Sequence, residues 1–189
     1  MSSSKEVALN LGLNVAIGAD DPVLPVGPHD EALLLFDACA GSLVRYVQSL
    51  GLDPECARDV VQETFLALFR HLRLNRPRDN MKGWLFKVAH NLAVKHRQTQ
   101  RRRETDAVSD LELAELAIDP SLNPEQHLAE KQRQVRLRSV VRALPERDRQ
   151  CLTLRAEGLR YRDRADVLDI SLGSVAKSVT RSLSRLANV

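Results

Sequence analysis

Two neighbouring groups of side chains in this sequence are suited to binding chemistry, one acidic and one basic. Asp59, Gln62 and Glu63 lie in the stretch DVVQETF. Between residues 70 and 103 the chain then carries eleven Lys or Arg and a single acid, Asp79. So dense a basic segment is typical of a polyanion-binding surface. The acidic group fits either a protein-docking face or the ordinary preference for acids near a helix N-terminus, and the residues alone leave both open.

The basic segment contains side chains that could read or hold a nucleic acid. Lys87, Asn91 and Lys95 recur every four residues of a predicted helix, with Arg97 beside them. An Asn can hydrogen-bond a base edge, and the cations can hold the backbone. Trp84, the single Trp, is expected to pack its ring into the core. Three arginines that could contact phosphate follow: Arg101, Arg102 and Arg103. A nonspecific RNA-binding tail is the competing interpretation.

A second basic row lies near the end of the chain. Lys177, Arg181 and Arg185 recur every four residues, and Ser171 and Ser174 fall in the first turn of the same predicted helix. Hydroxyls and amides at a helix start can meet phosphate. A helix and a tight turn precede this one, as in a helix-turn-helix. The alternative is a solvated surface helix.

No pattern predicts catalysis, a metal or a cofactor. The five His are scattered, the three Cys lack zinc-site spacing, and no Gly-rich phosphate loop or GxSxG elbow occurs. The sequence contains no run of eighteen apolar residues, so no membrane span is predicted. We therefore expect a protein that is not an enzyme and holds no cofactor. Its three Cys are odd in number and widely spaced, which is typical of small core residues in a reducing compartment, so we expect it in the cytoplasm.

The fold that positions these residues is predicted to be all-α, because Leu and Ala dominate the apolar residues and aromatics are only 4%. A helix is expected over 30–50, a second from Pro54 with Asp53 as N-cap, and a third from about Met81 to Arg103. A second helical unit is expected from near Glu130. The positions expected to be buried are Phe36, Ala40, Leu43, Val47 and Leu50; Val61, Phe65, Leu68 and Leu72; Trp84, Leu85, Val88 and Leu92; Val135, Val140, Val141 and Leu144; Val175, Val179 and Leu186.

Charge divides the chain into four segments. We expect a tail or short accessory helix over 1–29, a helical domain over 30–103, an acidic linker over 104–130 and a second helical domain over 131–189. The linker holds eight acids and no Lys or Arg, and it could contain one helical turn around 111–116. Two basic blocks separated by an acidic one predict two polyanion-binding modules joined by a tether.

Taken together, DVVQETFLALF, GWLFKVAHNLA and ALPERDRQCLTLRAEGLRYRDRADVLDISLGSVAKSVTRSLSRL resemble the sigma-70 family of bacterial transcription initiation factors. The likeness is greatest to its extracytoplasmic-function (ECF) group, which keeps conserved regions two and four. It extends over about 30–186. Region two would be the three-helix unit, and region four the helix-turn-helix.

The resemblance implies partners for both groups of residues. Asp59, Gln62 and Glu63 match the motif that docks on the clamp helices of the largest subunit of RNA polymerase. Trp84 and Lys87 match positions in the helix that opens and reads the −10 promoter element. Asn91 also matches that helix, and residues 95–103 match its adjoining specificity loop. The last helix would read the −35 element, and its domain would sit on the flap of the second-largest subunit. An anti-sigma factor is a further possible partner.

Three positions depart from the family pattern. Arg164 replaces a usual aliphatic residue, Asp169 a usual Gly, and Ser178 a usual basic residue. We expect Arg164 either to extend toward solvent or to pair with Asp166 or Asp169. Three alternatives therefore stay open: a sigma-like factor with weakened −35 recognition, a helix-turn-helix regulator that acts without polymerase, and an enzyme or adaptor with a nucleic-acid tail.

Overall fold

The computed structural model describes residues 27–103 and 124–187. Within those ranges the chain forms seven helices and no strand, which confirms the all-α prediction. They are α1 (Pro28–Ser49), α2 (Pro54–Arg73), α3 (Met81–Arg103), α4 (Pro124–Arg142), α5 (Glu146–Ala156), α6 (Tyr161–Leu168) and α7 (Leu172–Leu186). The predicted tail was 1–29, but Pro28 and His29 already belong to α1. Residues 1–26 and the predicted turn around 111–116 lie outside the described residues.

The start of α2 follows directly from local chemistry. Asp53 is the N-cap, and its carboxylate accepts the amide N–H groups of Glu55 at 3.0 Å and Cys56 at 2.9 Å. Pro54 occupies the first helical position, where its missing N–H costs no hydrogen bond. Gly51 reverses the chain before this cap with a φ of 92°, which a side chain would disfavour. Both the cap and the proline position are confirmed.

The buried face of α1 is shifted from the predicted one. Leu43, Val47 and Leu50 are buried as expected, but the stripe continues through Leu35 and Cys39. Phe36 is 45% exposed, so its predicted burial is wrong. The run ALLLF offers apolar residues on every side of the helix, and only packing against the other helices selects the inner face.

The buried faces of α2 and α3 match the prediction only in part. In α2 Val61, Leu68 and Leu72 are buried as predicted, whereas Phe65 is only half-buried. Leu85 in α3 is buried, and the buried α3 residues that were not predicted include Phe86, Ala89 and Ala93. The other predicted α3 positions are half-buried at the rim of the core: Trp84, Val88 and Leu92.

Helix α4 begins at Pro124, earlier than the predicted start near Glu130. Its predicted inner residue Val135 is 59% exposed, and Gln134 is buried instead. Leu144, just after α4, is buried as predicted. The helix has a weak apolar pattern, and a one-residue error in its phase turns the predicted inner face by about 100°.

Helices α5 to α7 form a helix-turn-helix unit with a small core of its own. The buried apolar residues of that core are Cys151, Ala165, Val175 and Val179. Four polar residues are buried in the same unit: Asp148, Arg164, Ser178 and Ser182. A core this small and polar supplies little hydrophobic stabilisation, so the unit depends on a neighbour.

That neighbour is the α1–α3 bundle, because Leu154, Leu159 and Val167 belong to the bundle's apolar core. Polar contacts surround this seam. The guanidinium of Arg45 donates to both carboxylate oxygens of Glu157, at 3.0 and 2.8 Å. Two further contacts join the units: Arg97 Nη1 donates to Glu146 Oε1 at 2.6 Å, and Asn80 Nδ2 donates to Asp163 Oδ1 at 2.8 Å.

Candidate functional site

The acidic group lies on the outer side of α2. Asp59, Gln62 and Glu63 are all exposed, as predicted. They stand beyond the first helical turn, where Asp53 and Glu55 already provide the cap and the acidic charge. Because the dipole effect fades within the first turn, helix-start chemistry does not account for Asp59 and Glu63. Their position favours the other interpretation, a protein-docking face.

The basic row of α3 consists of Lys87, Asn91, Lys95 and Arg97. The contact with the C-terminal unit engages one of these residues and leaves the others exposed. Lys87, Asn91 and Lys95 are exposed, so their side chains can reach a ligand. Arg97 is instead held against Glu146 of α5, with its side chain only 21% exposed. Arg101, Arg102 and Arg103 continue the helix, but their side chains lie outside the described part of the chain.

Trp84 lies at the boundary between the core and the surface. Its ring packs against His71 of α2, with the ring centroids 4.7 Å apart. His71 Nε2 in turn lies 2.8 Å from the carbonyl oxygen of Pro77 in the loop before α3. His71 therefore contacts both the loop and the Trp84 ring, which is half-buried and packs against the apolar core.

A partly buried contact between α1 and α3 was not predicted from the sequence. The hydroxyl of Tyr46 and Nδ1 of His90 are 2.8 Å apart. Burial lowers the pKa of His90, and the charge of Arg97 lowers it further. The carboxylate of Glu146 raises this pKa, but by less than burial lowers it. Burial also raises the pKa of Tyr46. A neutral ring and a neutral hydroxyl therefore face each other and hold α3 on α1.

Helix α7 presents its basic residues outward, but one of them is engaged. Ser171 caps the helix by accepting the amide of Ser174 at 3.2 Å, as predicted. Lys177 and Arg185 are exposed. Arg181 is half exposed, and its Nε lies 3.0 Å from Oδ2 of Asp148, which is 2% exposed. The N–H is not aligned with that oxygen, so the contact is an ion pair without a well-formed hydrogen bond.

The described residues contain no cluster of His, Cys, Asp or Glu that could hold a metal ion. No described helix is long and apolar enough to cross a membrane.

Comparison with known proteins places the chain in a family. Residues 35–103 match the family model for Sigma-70 region 2, and residues 134–186 match that for Sigma-70, region 4. The RNA polymerase sigma-H factor of Pseudomonas aeruginosa is 32% identical over 148 residues, which are 75% of each chain. The chain belongs to the sigma-70 family. The ECF RNA polymerase sigma-E factor of Escherichia coli is 33% identical over 137 residues, 69% of this chain and 71% of that one, which supports the ECF group.

Two solved structures share the fold of this sigma-70 family member. CnrH, in complex with the cytosolic domain of CnrY, has a TM-score of 0.54 and 19% identity, and covers 96% of this chain and 92% of its own. The sigma factor RpoE of Bartonella quintana, in complex with the anti-sigma factor NepR, has a TM-score of 0.62 and 22% identity, covering 85% and 94%.

Two of the three departures from the sigma-70 pattern, Arg164 and Asp169, are accommodated as follows. Arg164 is 3% exposed, so it does not extend toward solvent. Its guanidinium lies 4.1 Å from the ring centre of Tyr161, and its Nε donates to the carbonyl of Arg160 at 3.3 Å. The expected pairing with Asp166 or Asp169 is not among its described contacts. Asp169 adopts the left-handed conformation usually taken by Gly, with φ of 52°.

Proposed function

We propose that this protein is an ECF-type sigma factor, which binds core RNA polymerase, directs it to specific promoters and assists melting of the −10 region. Regions 2 and 4 in one chain, in the family's order, are the observation that carries the proposal. The sigma-H and sigma-E relatives support it. The exposed positions of the two basic rows agree with it.

In this role the outer face of α2 is the polymerase-docking surface. Asp59, Gln62 and Glu63 would contact the clamp helices of the largest subunit. Two observations support this contact: the three residues are exposed, and they match the family motif. The C-terminal unit would also contact the flap of the second-largest subunit.

The basic row of α3 is proposed to act on the opened −10 element. Asn91 would catch or read an unstacked base, with Lys87 beside it and Trp84 supporting the base stack. Lys95 and Arg97 would hold the backbone, Arg97 after leaving Glu146. The arginines of the helix end would add phosphate contacts that position the strand without reading it: Arg101, Arg102 and Arg103.

Helix α7 is proposed to contact the −35 element as duplex DNA. Ser171 and Ser174 would meet phosphate at the helix start, and Lys177 would lie in the N-terminal half that recognition helices use for bases. Arg181 would be a base contact and Arg185 a phosphate contact. Weakened −35 recognition is the second candidate. It is supported by Ser178, which is 2% exposed where the family usually has a basic residue.

The chemistry of transcription would belong to the polymerase, so this chain would itself be neither an enzyme nor a cofactor protein. Its place of work would be the cytoplasm, where the polymerase acts. An anti-sigma factor would be a further partner, as NepR is for the Bartonella quintana sigma factor.

Run-off transcription with purified core polymerase on a promoter library tests the proposal. The full chain is expected to yield promoter-dependent transcripts that core polymerase alone does not make. Tight and specific promoter binding by the chain without polymerase, with no transcripts in its presence, would instead support a helix-turn-helix regulator.

A further inference from the structure

Asp148 is a buried acid whose side chain meets the basic row of α7. It lies in the first turn of α5 and is 2% exposed. Nε of Arg181 lies 3.0 Å from its Oδ2, and the side chain of Arg181 is 54% exposed. One end of this ion pair therefore lies in the interior of the C-terminal unit, whereas the other end faces solvent.

The backbone of Asp148 contacts α7 at the same level. The hydroxyl of Ser182, the residue after Arg181, is buried and donates to the carbonyl oxygen of Ser178 at 2.8 Å. The same hydroxyl lies 3.5 Å from the carbonyl oxygen of Asp148. Consecutive residues of α7 thus contact one residue of α5. These contacts fix the position of the Asp148 carboxylate relative to α7.

A ligand can reach the outer end of the pair without displacing a helix. Arg181 and Asp148 lie beside an open surface hollow, which is also lined by residues 145–147 and Gln150. Lys177, one turn earlier on α7, is exposed as well. The guanidinium of Arg181 is therefore accessible on the side of α7 that is proposed to meet DNA.

Arg181 cannot leave Asp148 freely. A buried carboxylate that loses its cation is left uncompensated, which is strongly destabilising. The pairing also restricts a long side chain, so less conformational entropy remains to be lost when that side chain binds a ligand. An arginine can keep such a contact and still bind a second partner, because a contact through Nε leaves the N–H groups of both Nη atoms.

We propose that Asp148 is a positioning residue for promoter recognition, which holds the guanidinium of Arg181 in the direction from which it contacts a base edge of the −35 duplex. Asp148 itself does not touch the DNA. The inference rests on the proposed function and on the base contact assigned there to Arg181. It opposes the simpler expectation that an acid beside a DNA-binding cation competes with the DNA for that cation.

The experiment measures the affinity of the holoenzyme, formed from core polymerase and the full chain, for a promoter duplex that the wild type transcribes. Asp148→Asn removes the charge and keeps the size of the side chain. It is expected to weaken binding by about fivefold, the cost of ordering one long side chain. Asp166→Asn is the matched control, because Asp166 is an exposed acid of α6 in the same unit. Loss of an acid without a positioning role should leave the affinity unchanged or raise it slightly.

A double-mutant cycle separates positioning from folding. Arg181→Gln is expected to weaken promoter binding and to relax the preference for one base pair of the −35 element, and Asp148→Asn is expected to relax the preference for the same pair. In the Arg181→Gln background, Asp148→Asn should have no effect beyond that of Asp166→Asn. Weakening that persists in this background would assign Asp148 to folding alone and overturn the inference, as would an Arg181→Gln variant with unchanged base preference.

Thermal melts check that the variants fold. If Asp148→Asn does not fold, Asp148→Glu, which keeps the charge but moves the carboxylate, is compared with Asp166→Glu and is expected to bind the promoter more weakly; equal binding would overturn the inference. Tighter binding by Asp148→Asn than by Asp166→Asn would mean that Asp148 withholds Arg181 from DNA, which also overturns it. If the wild-type holoenzyme does not bind the promoter, the proposed function fails; if it binds and Asp148→Asn matches Asp166→Asn, only this inference fails.

Discussion

The shared core predicts that a change in the C-terminal unit will destabilise the N-terminal one. Leu159 precedes α6, is 4% exposed and belongs to the apolar core of the α1–α3 bundle. Leu159→Ala removes most of a buried side chain and leaves a cavity between the units. Substitutions of this kind cost about 2–5 kcal/mol in free energy of unfolding.

The assay uses the position of the only Trp. Trp84 lies in α3, so its fluorescence reports unfolding of the N-terminal bundle, whereas circular dichroism reports all helices. Denaturant titration of Leu159→Ala is expected to shift the Trp84 transition by about 3 kcal/mol, together with the dichroism transition. Leu183→Ala is the matched control, because Leu183 is a C-terminal leucine that is 40% exposed. It should change the free energy by no more than about 0.5 kcal/mol.

Independent units would behave differently. An unchanged Trp84 transition, with part of the helical signal lost at lower denaturant, would refute a shared core. It would mean that the two units fold separately and that the seam through Arg45 and Glu157 contributes little to stability.

Three further predictions follow from individual residues. Burial lowers the pKa of His90 below 6.5, so just below that pH the unfolded chain binds more protons than the folded one. Acidification from pH 7.5 to 5.5 should therefore lower the melting temperature more in the wild type than in His90→Gln. The carboxylate of Asp53 and burial raise the pKa of the Cys56 thiol to about 11. Iodoacetamide should therefore label this half-exposed thiol slowly at pH 8 and faster in Asp53→Asn, as measured by mass spectrometry. Equal labelling rates would contradict the effect of Asp53 on the thiol. Asn91→Ala should reduce permanganate-detected promoter melting by the holoenzyme. The exposed control Gln132→Ala, on α4 and outside both proposed DNA-binding helices, should melt promoters as the wild type does.

The sequence by itself determined the class of fold, the order of the helices and the exposure of the acidic group on α2. Asp53, Pro54 and Ser171 are caps or first-turn residues, and their effects depend on neighbours within a few positions. The exposure of Asp59, Gln62 and Glu63 followed from the apolar residues on the opposite side of the same helix. The family likeness rested on motifs that are continuous in the chain.

Only the tertiary structure decided which of several apolar sides faced inward and which charged residues met each other. Phe36 and Val135 were assigned to the core because their local patterns allowed it, yet packing placed Leu35 and Gln134 inside. The pairing of Arg97 with Glu146 joins residues far apart in sequence. Periodicity describes one helix at a time, whereas a seam between helices depends on their relative positions, which no local pattern specifies.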